Sequence, residues 1–323
     1  MEKSDRMISV VGSLVTDIII HTTKEFKLIG DFISFPFDSK IEIEKIRFDI
    51  GGSGHNIAVN LSNLGNRTKI FGKIGEDTYG DLIKKSLKRF RVDISDLKRV
   101  KNEISGFSFI FLFKGEKSII TYRGTNNLVG PEDLNEKKMK KSKFFVFTSM
   151  TSDKNIAFLK KAINISKKYG IKIVSNPSTS MINYRKEELK NLMKYVDLLI
   201  LNERESKIIS GKRNVESALK FLESKTKGDV IITLGGRGCV VSHNKIRKKI
   251  KTYNVKVADT TGAGDSFTAG VVHMLNKGYD LFDSVKFGMG VSSIVIQIEG
   301  ATTKLPKEDE VIDFLRVRGE NFV

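Results

Sequence analysis

The sequence predicts an α/β fold, a three-layer α/β/α body around a mostly parallel central sheet, with a small β-sheet lid set outside it. Three observations predict it. First, short apolar, β-branched runs recur at residues 8–15, 69–74, 144–148, 171–174, 198–201 and 230–234. Second, helical spacing fills the gaps between them, as in Ile57, Leu61 and Leu64, or Phe158, Ala162 and Ile165. Alternation of this kind implies parallel strands with helices on both faces. Third, two regions break the alternation and supply the lid.

The first of these, residues 17–50, holds no long helical pattern and contains alternating stretches such as Ile41-Glu42-Ile43-Glu44. The second, residues 104–124, reads as two strands, 107–113 and 118–122, joined by the turn Lys114-Gly115-Glu116-Lys117. Together they make a lid over a site, or else an edge extension or a dimer contact.

The chain of 323 residues, 40% of them hydrophobic, is long enough to bury one large core. Four prolines and no serine- or glycine-rich spacer leave no place for a flexible linker, so one domain over 1–323 is expected. Residues 1–6 are polar and of both charge signs, and Asp17 interrupts the apolar run that follows. Neither a signal peptide nor a membrane span reads there, and a cytoplasmic protein is expected. The lone Cys239 sits among valines and reads as a buried thiol. A formal charge of +18 attracts anions, but the basic residues are scattered in short clusters. No nucleic-acid-binding motif accompanies them, so a nucleic-acid-binding protein is the less favoured reading and a small anionic substrate the better one.

The chemistry gathers at residues 259–265, Asp-Thr-Thr-Gly-Ala-Gly-Asp. A glycine-rich turn opening a helix leaves N–H groups unpaired at the positive end of the helix dipole, and Gly262, Ala263 and Gly264 then form an anion hole. Asp265, in the first helical turn, is placed to accept a proton from a hydroxyl that attacks phosphorus, and the dipole favours its ionised form. The alternative is mere capping. A second cluster, Gly51-Gly52-Ser53-Gly54-His55-Asn56, lets backbone approach a ligand, with Asn56 offering both a donor and an acceptor; His55 reads as structural. A third, Thr233-Leu234-Gly235-Gly236-Arg237-Gly238, suits a nucleotide phosphate. A fourth, Asn202 to Glu205 after a strand, reads either as a holder of magnesium through water or as a capping box. A phosphate-loop motif and a complete Gly-x-Gly-x-x-Gly are both missing.

These clusters, in this order, resemble the ribokinase-like (PfkB) family of carbohydrate and nucleoside kinases. Residues 51–56 look like its N-terminal signature, and residues 259–267 match its C-terminal signature without a gap. The resemblance implies an ATP- and magnesium-dependent transfer of a phosphoryl group to a hydroxyl, usually primary, of a sugar or, as the alternative, a nucleoside. It makes Asp265 the base and Gly262, Ala263 and Gly264 the anion hole. Asn202 and Glu205 match its magnesium motif, Thr233, Gly235 and Gly238 its ATP segment, and Met289 its adenine-side position. Asp17 and Asn56, with Gly51 and Gly52, match its sugar site, and its members often pair as homodimers through the lid. Asp259 falls where the family meets a monovalent cation, and Lys304 stands where ribokinases carry a serine, so its ammonium is expected to replace that ion. For the substrate, Arg123 suits an acidic sugar, whereas Phe32, Phe35, Phe107 or Phe109 would sandwich a nucleobase.

Overall fold

The computed structural model describes residues 7–23, 25–30, 32–113, 116–320 and 322. In chain order the strands are β1 (Met7–Val11), β2 (Val15–His21), β3 (Lys27–Ile29), β4 (Phe32–Ser34), β5 (Ile46–Gly51), β6 (Thr68–Gly75), β7 (Asp93–Val100), β8 (Gly106–Phe113), β9 (Glu116–Tyr122), β10 (Ser142–Phe147), β11 (Lys172–Ser175), β12 (Leu198–Asn202), β13 (Asp229–Thr233), β14 (Cys239–His243) and β15 (Ile246–Ile250). The helices are α1 (Ser53–Asn63), α2 (Thr78–Arg89), α3 (Glu136–Met139), α4 (Asp153–Tyr169), α5 (Thr179–Tyr184), α6 (Lys186–Met193), α7 (Glu203–Ser210), α8 (Val215–Lys225), α9 (Ala263–Lys277), α10 (Leu281–Val295) and α11 (Glu308–Arg316).

The main sheet runs β15-β14-β13-β12-β11-β10-β1-β6-β7. From β7 to β13 every pairing is parallel, and β14 and β15 close that edge as antiparallel strands. Successive residues of one strand feed two different cores, as the twofold repeat of a strand requires. Phe145 and Phe147 of β10 pack with α4 to α8, whereas Phe144 and Val146 pack with α1, α2, α9 and α10. This is the expected three-layer body. Where α9 crosses α10, Gly270 and Gly288 let the backbones meet: a Cβ at Gly270 would lie 2.7 Å from the Gly288 Cα.

Strand order reverses at β1, which pairs with β6 on one side and β10 on the other. The crevice beyond the carboxyl end of such a strand is where open parallel sheets bind ligands. Here the apolar run of residues 8–15 is not one strand. It breaks at Gly12, where a side chain would collide with the Thr148 hydroxyl and crowd Gly54, and it resumes as β2 in a second sheet. Asp17 therefore lies within β2 and does not simply follow the first strand.

The second sheet, β5-β2-β8-β9, is the lid. Its outer pairings are antiparallel and its central pairing, β2 with β8, is parallel. Lys114 and Gly115 of the expected hairpin turn lie outside the described residues, as do residues 1–6. Residues 41–44 alternate in polarity but form no strand, and their side chains are mostly exposed. Among the described residues no helix is long and apolar enough to cross a membrane.

Candidate active site

Gly262 caps α9 in the left-handed conformation, φ 77°, with no side-chain cap. Ala263 N–H finds the Thr260 carbonyl at 3.2 Å, but among the described residues the N–H groups of Gly264 and Asp265 have no acceptor. They are the orphan donors that every helix start leaves, and they face open space: a Cβ on Gly264 would meet nothing within 4 Å. Packing therefore does not require glycine at 264.

Asp265 follows in the first turn. Its Oδ2 accepts from Asn56 Nδ2 at 2.8 Å, which ties the start of α9 to α1 across the crevice. Burial pushes its carboxyl up to about 6; the Asn56 bond and the Lys117 charge pull against that, while Glu205 adds to it. Desolvation outweighs the helix dipole. The sequence expectation of a carboxylate favoured by the dipole alone misses this cost, although the group is still mostly ionised at neutral pH.

Asp17 stands beside it, buried on β2. Burial first, then the charges of Asp49 and Asp265, push its carboxyl up to about 7 against a Ser108 hydrogen bond and Lys117. Its Oδ2 lies over Gly51, where any side chain would collide with it, and Gly52 (φ 92°) passes the Ser13 carbonyl too closely for a Cβ. Gly51 is required by the approach of the chain to Asp17, and Gly52 by its approach to the Ser13 carbonyl. Ser53 Oγ shares hydrogen bonds with Thr148 at 2.7 Å and Ser149 at 3.1 Å, fixing the α1 start to the end of β10. His55 is buried, 2.9 Å from Ser86 Oγ, and burial pushes it down to about 4, so it is neutral and structural.

On the other side of the α9 start lies a cleft of about 470 Å³. Thr233, Gly235 and Gly238 line it with Ala263 and Gly264, and Met289 forms part of its apolar wall. The sequence-predicted nucleotide residues thus converge, with one exception. Asn202 is one strand away, paired in register with Thr233, and it makes a capping box: Glu205 N–H donates to Asn202 Oδ1 at 2.8 Å and Asn202 N–H to Glu205 Oε2 at 3.0 Å. Glu205 is buried, and that burial raises its carboxyl. Among the described residues no group of three or more His, Cys, Asp or Glu stands together as a metal centre.

Asp259 accepts from Thr261 N–H (2.8 Å), Thr261 Oγ1 (2.6 Å) and Gly300 N–H (3.1 Å). Burial raises its carboxyl, but these bonds outweigh it and hold the group below the ordinary range. The structure does not bring Lys304 to it. Lys304 is exposed, and among the described residues no ion pair joins the two. The lysine whose charge reaches Asp259 is Lys117 of the lid.

The sequence matches the family described as pfkB family carbohydrate kinase over residues 5–308. The chain belongs to that family. This pfkB family kinase is 32% identical to the ribokinase of Staphylococcus aureus (strain COL) over 81% of its own length and 86% of the relative's. It is 30% identical to the ATP-dependent 6-phosphofructokinase of Thermoanaerobacterium thermosaccharolyticum, over 88% of this chain and 90% of that one. Its fold is similar to that of a putative ribokinase II from E. coli solved in complex with ATP and Mg2+, with a TM-score of 0.82 at 19% identity, covering 97% of this chain and 99% of the other.

Two residues of this pfkB kinase's site carried no motif in the sequence. Lys117 Nζ donates to Thr261 Oγ1 at 3.1 Å, so the lid hairpin reaches the glycine turn before α9. Ser108 bonds the Asp17 carboxylate. The available signal was β-alternation: Ser108 pairs in register with Thr121 and with Asp17, which puts all three on one lid face. The same register separates Phe107 and Phe109 from Asp17. They project to the opposite face, where Phe107 packs edge-on against Tyr79, and they cannot sandwich a base beside Asp17. Cys239 is buried in the core and its thiol is pushed up to about 12 by burial, as an inert structural cysteine.

Proposed function

We propose that this kinase moves the γ-phosphoryl group of ATP to a hydroxymethyl group of a small sugar, with Asp265 as the general base. One observation carries the reading. Asp265 stands at an uncapped helix start between the nucleotide cleft and Asp17, held by Asn56. One Asp265 oxygen is oriented by Asn56, which leaves the other for the substrate hydroxyl, and Asp17 and Asn56 hold the neighbouring hydroxyls. As the O–H proton passes to Asp265, the oxygen bonds to the γ-phosphorus and the bond to the leaving oxygen of ADP breaks. The free N–H groups of Gly264 and Asp265, at the positive end of α9, take the charge on the transferring group. Met289 and Phe267 pack against the adenine.

Magnesium fits here as an ion bound mainly by ATP phosphates and water, which needs only one or two carboxylates. Glu205 suits it, since burial leaves its charge costly until a cation approaches, and Asn202 orients it. Such an ion would neutralise the charge of the phosphates. Use of ATP as substrate supports a cytoplasmic enzyme.

A sugar is favoured over a nucleoside because the lid aromatics Phe107 and Phe109 face away from Asp17, while Phe32 and Phe35 are exposed on β4 and the loop after it. The test is an ADP-release assay over neutral sugars, sugar acids, sugar phosphates and nucleosides. Turnover is expected for a sugar-class acceptor, rising with pH through about 6 as Asp265 ionises. Asp265→Asn is expected to cost ~10²- to 10⁴-fold in kcat with ATP binding retained. A variant within tenfold of the native enzyme would remove Asp265 from the mechanism.

A further inference from the structure

The lid face that carries Asp17 continues past it. Asp17 pairs in register with Ser108, and Ser108 with Thr121, so Thr121 stands two strand spacings, about 10 Å, from Asp17 on the same face. Arg123 follows the last residue of β9. With Ile119 and Thr121 it lines a pocket of about 650 Å³ that is bounded across from the lid by Tyr184 and Arg185 at the α5–α6 junction.

The two arginines of this pocket are not alike. Arg185 is already engaged: its Nε donates to the Thr151 carbonyl at 2.6 Å, and its guanidinium pairs with Asp153 at 2.8 Å and Glu188 at 3.1 Å. Arg123 is half-buried, yet among the described residues no carboxylate or carbonyl accepts a hydrogen bond from its guanidinium. Burial pushes it below the ordinary arginine value, and only the Tyr184 hydroxyl side opposes that. A cation held half out of water with no counter-charge has a cost that a bound anion removes. A guanidinium fork matches a carboxylate or a phosphate ester with two parallel hydrogen bonds. The position, beside the sugar-hydroxyl aspartate and away from the nucleotide cleft, makes the anion part of the acceptor and not of ATP.

We propose that Arg123, with Arg185 behind it, binds an anionic group at the far end of the acceptor, so that the substrate is a sugar acid or a sugar phosphate and not a neutral sugar. The proposal rests on the kinase reading of the Asp265 site. Asp17 and Asn56 then hold the hydroxyls nearest the transfer point, and Arg123 sets the register of the chain by its charged end.

The test compares matched acceptors of five and six carbons as neutral sugars, sugar acids and sugar monophosphates. The native enzyme should turn over an acid or a phosphate with a kcat/KM at least tenfold above its neutral counterpart, and which of the two it prefers identifies the source of the anion. Arg123→Gln should raise KM for that acceptor about 10- to 100-fold, the worth of a charged hydrogen-bonded pair, with the KM for ATP unchanged, and Arg123→Lys should recover part of the loss. A neutral sugar or nucleoside preferred over every anionic acceptor would overturn the proposal, as would an Arg123→Gln enzyme with native KM. Calorimetry on the Asp265→Asn protein separates this from failure of the kinase reading. Sugar-acid or sugar-phosphate binding that disappears in the Asp265→Asn, Arg123→Gln double variant supports the anion site whatever turnover shows, and no binding to either overturns it.

Discussion

Two aspartates, Asp17 buried and Asp265 half-buried, dominate the residue scale. Burial raises both, to about 7 and about 6, with the charges of Asp49 and Asp265 adding to it at Asp17 and that of Glu205 at Asp265. The sign for stability follows directly. The folded protein holds these protons where the unfolded chain, with carboxyls near 3.8, has released them, so stability present below pH ~4 is lost as the pH rises through 6 to 7. Replacing Asp17 by asparagine removes its share, for which the shift to about 7 sets an upper bound of about 4 kcal/mol. Asp17→Asn is therefore expected to melt above the native protein at pH 8 and level with it at pH 4, by thermal denaturation. An equal difference at both pH values would mean that the buried charge is not what the native state tolerates there. The same cost is the kind that active sites carry, because an aspartate near 6 is better matched to accept a proton at neutral pH than one near 4. Neither value was legible in the sequence. The motif located Asp265, but the spacing of letters carries no measure of how much water surrounds a carboxylate.

At the scale of elements, the start of α9 separates conformational need from chemical need. Gly262 is left-handed at φ 77°, and its Cβ would come 2.7 Å from that of Ala301. Gly264 is helical and faces empty space. Gly262→Ala should thus destabilise the protein by ~1–2 kcal/mol or more and lower Tm by several degrees. Gly264→Ala should leave Tm unchanged or slightly raised, because alanine is the better helix residue, and lower kcat at least tenfold by holding the phosphoryl group off the N–H donors. Paired melting curves and turnover rates check this, and the reverse ranking would refute it. The lid shows the complementary case. Ser108 belongs to a strand that read correctly as a strand, whereas Lys117, read as part of the turn, lies in β9, and the place of both in the site follows from which face of β8 and β9 meets the body.

For the whole molecule, the lid presents an outer face that the body does not cover. Phe48, Ile18, Phe109 and Ile120 stand in one row across its four strands, and Phe48, Phe109 and Ile120 are 54%, 38% and 64% exposed. Contiguous apolar surface of this kind marks an interface, and one patch serves both partners of a twofold dimer. We propose that a second copy of the chain covers it. Light scattering should show a dimer that Phe109→Asp converts to a monomer; a native protein that is monomeric at micromolar concentration would count against it. Part of the basic surface, in contrast, is matched by local acids, as in Lys138 with Asp96, Lys168 with Glu136 and Lys207 with Glu203.

By itself the sequence determined the layered α/β body and the helix start at residues 262–265, because both are local: hydrophobic period reports the element, and a glycine turn before an aspartate reports a helix start open to anions. It also placed Thr233, Gly235, Gly238 and Met289 in what proved to be one cleft. Only the tertiary structure decided that residues 8–15 divide between two sheets, that Lys117 and not Lys304 brings its charge to Asp259, and that Phe107 and Phe109 face away from Asp17. Each of these depends on pairing or packing between segments far apart in the chain, as in Ile8 with Phe144, Asp17 with Ser108 and Lys117 with Thr261, and register across such distances is set by packing against the rest of the molecule, not by neighbours in the chain.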